Sequence, residues 1–180
     1  MRKLRLFLLA AMCTAFSACG EIENEYCSRT AFLYFDNSTH LDQTLGAAMN
    51  SVVSNVFCRV YQSGTSQLSF TNNQGASSTV TLTAKEVNTS ISLGVRNDFG
   101  LIVGYGFGGV FYCYDALCSN CYNNGSKRLL SMNSSGIATC SNCGRQYDLA
   151  NNGLSPQGGR LDRYWAETSG SNGVLRVSNR

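Results

Sequence analysis

Four of the nine cysteines sit in two copies of one four-letter word, Cys118-Ser-Asn-Cys121 and Cys140-Ser-Asn-Cys143. Two residues between cysteines let a tight turn point both sulfurs at one ion. Two such turns facing each other complete a tetrahedron of thiolates, the donor set that zinc prefers. The second word runs into Gly144, where the backbone can fold close beneath a sulfur and aim N–H groups at it. The first is followed by Tyr122 and then Asn-Asn-Gly, so its turn is expected to open later. Cys118, Cys121, Cys140 and Cys143 are therefore the candidate metal ligands. Cys27 and Cys58 would tie the start of the domain to a strand if bridged. Cys113, in "VFYCYDA", falls on the face of Phe111 and Asp115, opposite Tyr112 and Tyr114, and reads as a buried free thiol rather than a fifth sulfur for the metal.

Other chemistry finds less support. "GYGFGG" (104–109) has the glycines of a phosphate loop, but a strand follows it where such a loop must open a helix. His40 is the sole histidine and has Asp36 nearby, yet no G-x-S-x-G elbow accompanies them. "NSTHLDQ" reads instead as a helix start, with Ser38 or Thr39 as N-cap. The acidic residues are scattered singly, which gives no carboxylate pair for glycosidase chemistry. Phe107, Phe111, Tyr112, Tyr114, Tyr122, Tyr147, Tyr164 and Trp165 crowd the metal loops. They are expected to form core and a dry shell around the thiolates rather than a carbohydrate-binding or partner-binding face.

The elements that must position the cysteines are short β-runs separated by Gly, Asn and Ser clusters. Strands are expected at 30–36, 56–62, 67–72, 78–84, 101–106, 109–116, 136–140, 144–149, 161–167 and 173–179. One helix is expected over 41–55, with Leu41, Leu45, Met49 and Val52 at helical spacing and Gly46 weakening it. The fold class is thus all-β, or β-dominated, built of several small antiparallel sheets with two metal-binding loops (113–149) and one short helix. The two cysteine words repeat but their surroundings do not, which excludes a solenoid.

The first residues set the compartment. Arg2, Lys3 and Arg5 precede an apolar run from Leu6 to Met12 that is too short to span a bilayer, and small residues lead to Cys19. That is an export signal (1–18), and its ending "FSAC" resembles a bacterial lipobox. The resemblance implies that Cys19 is acylated and becomes the first mature residue, holding residues 19–29 as a tether and 30–180 as one domain. The acidic "GEIENEY" resembles the surface-export tethers of Bacteroides-type lipoproteins. Attachment to a bacterial outer membrane, in the cell envelope, follows as the expectation, through lipid and not a spanning helix. The leader carries three of the 14 basic residues and none of the 11 acidic ones, so the remainder is charge-balanced. No basic stripe is left to track phosphates, and nucleic-acid binding has no support.

From Phe111 to the end, "FYCYDALCSNC…GIATCSNCGRQYDLANNG…LDRYWAETSGSNGVLRVSN" resembles the cluster-binding part of a Rieske domain. Asp115 and Cys118 fit that family's first loop phrase; Cys140, Gly144, Tyr147, Asp148 and Gly153 fit the second. Leu161, Tyr164, Leu175 and Val177 fit its closing strands. The resemblance covers roughly residues 100–180 and implies a 2Fe–2S cluster held by two cysteines and two histidines. Both histidine positions depart from it: Cys143 occupies the second, and Asn120 followed by Cys121 the first. A two-histidine centre cannot form from one such chain. Three fillings remain: one zinc, an all-cysteine 2Fe–2S cluster, or two disulfides. The leader has no twin-arginine pair, so the chain is expected to cross unfolded and take its ion after export, which favours zinc. An oxidising compartment favours disulfides. Metal binding opposes oxidation by holding sulfur as thiolate, worth about 10–16 kcal/mol in small zinc modules. The expected function is a non-enzymatic binding or envelope role for an unknown protein or small-molecule partner, around structural zinc. The alternatives are an electron carrier and a metal-free, disulfide-stapled binding domain.

Overall fold

β-branched and aromatic runs punctuated by Gly and Asn give sheet, and sheet dominates the computed structural model, which describes residues 25–179. The leader, Cys19, residues 20–24 of the tether and Arg180 lie outside the described residues. Twelve strands are formed among them: β1 (Ala31–Asp36), β2 (Phe57–Gly64), β3 (Gln67–Asn72), β4 (Ser77–Thr81), β5 (Ser92–Leu93), β6 (Leu101–Tyr105), β7 (Phe111–Asp115), β8 (Ser131–Met132), β9 (Ile137–Thr139), β10 (Gln146–Asp148), β11 (Trp165–Thr168) and β12 (Val174–Ser178). They make three antiparallel sheets, ordered β4-β3-β2-β6-β7, β11-β12-β1-β5 and β10-β9-β8.

The five-stranded sheet is the middle layer, and strand alternation shows why. Along β6, Leu101 and Val103 join one apolar cluster while Ile102 joins another; along β7, Cys113 and Tyr114 divide in the same way. The first cluster is closed by β1 and β12, whose register pairs Leu33 with Val177 and Phe35 with Leu175. The second lies against the three-stranded sheet and includes Cys118, Cys121 and Cys140. With both faces covered, β6 reads as an unbroken apolar run rather than an alternating one.

Helix is confined to single turns. The expected helix over 41–55 is present only as α2 (Gln43–Ala48), and a separate turn, α1 (Asn37–His40), precedes it. Leu41 adopts φ 52°, in the left-handed region, and is exposed, and Val52 is exposed as well. Asp36 and Asp42 are the N-caps, not Ser38 or Thr39; Asp42 accepts from the Leu45 N–H at 2.8 Å. The expected strand 78–84 ends early because Thr83 and Glu86 form a capping box that opens α3 (Ala84–Val87). A fourth helix, α4 (Ser119–Asn123), begins inside the first cysteine word and runs two residues past it. Residues 25–29 pack against the domain: the Cys27 N–H donates to the Arg163 carbonyl at 2.8 Å, and Arg29 pairs with Asp162. No described helix is long and apolar enough to cross a membrane.

Candidate metal centre

The two cysteine words fold into the same turn. The Tyr122 N–H donates to the Cys118 carbonyl at 2.9 Å, and the Gly144 N–H donates to the Cys140 carbonyl at 2.8 Å. In the first word the turn continues as α4 and closes at Gly125, φ 79°. In the second it stops at once at Gly144, φ 70°, a conformation that a residue with a Cβ enters only at a cost. Identical words thus give identical chelating turns, set at the end of β7 and in the β9–β10 connection.

Tertiary structure brings the turns face to face. The four sulfurs lie within 4.8 Å of one another, with Cys118 Sγ 3.7 Å from Cys143 Sγ and Cys121 Sγ 3.6 Å from Cys140 Sγ. A zinc–sulfur bond of about 2.3 Å gives a tetrahedral edge of about 3.8 Å, so the sulfurs stand close to the corners of such a shell. A disulfide would need about 2.05 Å, and all four thiols are free. Cys118, Cys121 and Cys140 are buried, and Cys143 is exposed at the open edge of the site.

The surrounding groups hold the sulfurs and tune them. The Tyr147 hydroxyl lies 3.4 Å from Cys118 Sγ, within hydrogen-bonding reach, and can donate its proton to that sulfur as a thiolate. Asn142 Nδ2 donates to Cys121 Sγ at 3.5 Å. Ser119 Oγ accepts from the Asp162 N–H at 2.9 Å and so fastens the first turn to the segment before β11. Asp115, fully buried, accepts from the Val95 and Leu117 N–H groups, each at 3.0 Å, and from Tyr164 Oη at 2.9 Å. It fixes the chain three residues before the first ligand, and burial raises its pKa despite those donors.

Burial raises the Cys121 thiol and pushes Cys118 up to about 12. At Cys143 the smaller burial cost is outweighed by the Arg145 N–H and by the neighbouring cysteines, which lower it to about 7. One ligand is therefore about half ionised near pH 7 and exposed where an ion could first arrive.

The spacing-based ligand set Cys118, Cys121, Cys140 and Cys143 is the group that the fold brings together. Cys113 is buried and free, on the face opposite Tyr112 and Tyr114 as alternation indicated. The suggested Cys27–Cys58 bridge is not formed, and both residues are free thiols. Cys58 lies fully buried on β2 with its sulfur toward the Arg59 carbonyl, whereas Cys27 lies beside the Tyr164 hydroxyl. Sequence reasoning missed Glu86, which receives the sole histidine: His40 Nε2 lies 2.9 Å from Glu86 Oε2 and its ring stacks on Phe35. The S/T-x-x-E pattern at 83–86 was the available signal. Comparison of the chain with protein-family models, curated proteins and solved structures finds no match.

Proposed function

We propose that the protein is an exported lipoprotein whose domain is stabilised by one zinc ion bound to Cys118, Cys121, Cys140 and Cys143, in a non-enzymatic binding or envelope role. The observation that carries this reading is the mutual approach of four sulfurs from two separate turns to within 4.8 Å. A two-iron cluster would set the sulfur pairs apart by an additional metal–metal spacing, so four sulfurs all within 4.8 Å of one another support a single ion. With four protein ligands the shell is closed and leaves no position for a substrate, which supports a structural role. Hydrogen bonds from Tyr147 and Asn142 are of the kind that orient ligands and stabilise bound thiolates.

The Rieske relationship belongs to the same proposal. It is supported by one ligand loop following β7 and the other joining two strands of a small separate sheet. Acylation of Cys19 rests on the leader alone. The test is metal analysis and visible absorption of the purified protein, with mass analysis of its N-terminal peptide. One zinc per chain, no colour and an acylated Cys19 are expected. Two irons with a red-brown colour would establish the electron-carrier alternative. Metal-free protein lacking free thiols at the four positions would establish the stapled domain.

A further inference from the structure

The four sulfurs of the metal centre differ in how well they are covered. Tyr112, Tyr114 and Tyr147 pack in one apolar cluster with Cys118, Cys121 and Cys140, which are 0%, 3% and 0% exposed. Phe107, expected in that dry shell, lies outside it, 62% exposed in the β6–β7 turn. Among the four ligands Cys143 alone is exposed. A reactant arriving from solvent therefore meets Cys143 first.

Two sulfur contacts run from one cysteine word to the other. Cys118 Sγ lies 3.7 Å from Cys143 Sγ, 25 positions along the chain, and Cys121 Sγ lies 3.6 Å from Cys140 Sγ, 19 positions along. To reach a disulfide length of about 2.05 Å each pair closes by roughly 1.6 Å, a distance that side-chain rotation supplies. Bridges of this kind tie α4 to the β9–β10 connection. A bridge inside either word would join residues three apart and leave the two turns unconnected. The pairing that the contacts favour is therefore the one that keeps the site closed without a metal.

We infer that the four cysteines are an oxidation site for hydrogen peroxide, which joins Cys118 to Cys143 and then Cys121 to Cys140, releasing the metal while the turns stay stapled. The inference rests on the proposed zinc reading. The Cys143 thiolate attacks one peroxide oxygen; the O–O bond breaks, the other oxygen leaves as hydroxide, and Cys143 becomes a sulfenic acid. The Cys118 thiolate then attacks the Cys143 sulfur, the S–S bond forms, and the sulfenic oxygen leaves as a second hydroxide. Two electrons pass from the two sulfurs to the peroxide, and both hydroxides take protons from solvent. Cys121 and Cys140 are left as the only thiolates of the shell, too few to hold the ion, and a second peroxide oxidises them in the same way. An exported chain meets such oxidants away from the reductants of the cytosol.

The test titrates the zinc-loaded full chain with hydrogen peroxide and follows released zinc with a chromophoric indicator. At each step the protein is unfolded in acidic denaturant, its remaining thiols are blocked with N-ethylmaleimide, and its disulfides are reduced and labelled with iodoacetamide. Peptide mass spectrometry then places the second label. After one equivalent the label should sit on Cys118 and Cys143, with one zinc released for each disulfide formed. After two equivalents it should sit on all four positions, with the circular dichroism of the folded chain retained, and reduction in the presence of zinc should restore the starting state. First labelling of Cys140 with Cys143, or of Cys118 with Cys121, overturns the cross-pairing. Zinc held through excess peroxide, or unfolding as zinc is released, overturns the switch while the zinc site stands. A reduced chain that takes up no zinc overturns the reading of the site, and the switch falls with it.

Discussion

Tyr147→Phe removes one oxygen from beneath the metal centre and leaves the ring, which is 1% exposed, in place. In the metal-free protein the Cys118 thiol, pushed up to about 12, is neutral at pH 7, so its hydrogen bond with Tyr147 is an ordinary one. When metal binds, the sulfur is a thiolate and the same bond becomes charge-assisted. Hydrogen bonds to charged groups contribute about 1.5–3 kcal/mol against about 0.5–1.5 for neutral ones. The difference, roughly 1.4 kcal/mol, is a tenfold change in affinity. This is the lower end of the 10–100-fold loss typical when groups behind metal ligands are replaced. The variant should therefore bind zinc about tenfold more weakly in competition with a chromophoric chelator at pH 7. A zinc affinity within twofold of the parent, in a variant with unchanged circular dichroism, would refute the claim that this hydroxyl supports a bound thiolate.

Cys140→Ser should lose most of the zinc and much of the thermal stability, since a buried ligand is removed; an unchanged Tm argues against a structural metal. Because Cys118 and Cys121 are raised and protonated at neutral pH, metal binding must release both protons. The logarithm of zinc affinity should then climb by at least about two per pH unit from pH 7 to 8, and a flat profile in buffered competition titrations contradicts this. Gly144→Ala places a Cβ at φ 70° and should cost about 1–2 kcal/mol in chemical denaturation, with weaker zinc retention. Glu86 pays a burial cost that bonds from His40, Thr83 and the Asp36 N–H outweigh, so its folded-state pKa lies below the ordinary carboxylate value. Its stabilisation is complete above that ordinary value, near pH 4.5, and is lost as pH falls through the depressed one. Glu86→Gln should reduce stability at pH 7 by about 1.5–3 kcal/mol and flatten the acid limb of a melting curve followed below pH 5.

The ligand set was legible in the chain because a C-x-x-C word fixes chelating geometry through local backbone alone. In both copies the residue after the second cysteine donates its N–H to the carbonyl of the first, closing the same five-residue turn. Strand positions were legible for a similar reason: a period of two along β4 or β12 reports directly which face is the more buried. The short strands β5 and β8 were not, since two residues carry no period, and the 41–55 helix is shortened to Gln43–Ala48, starting late because Leu41 turns left-handed between two aspartate caps. Convergence of the two turns required the fold. Eighteen residues lie between Cys121 and Cys140, and only the packing of β8–β10 beneath β7 sets their sulfurs 3.6 Å apart. The tertiary structure likewise decided which cysteines stay unbridged, which carboxylate meets His40, and which aromatic is left outside. Those outcomes depend on contacts between residues far apart in sequence, and no local pattern encodes them.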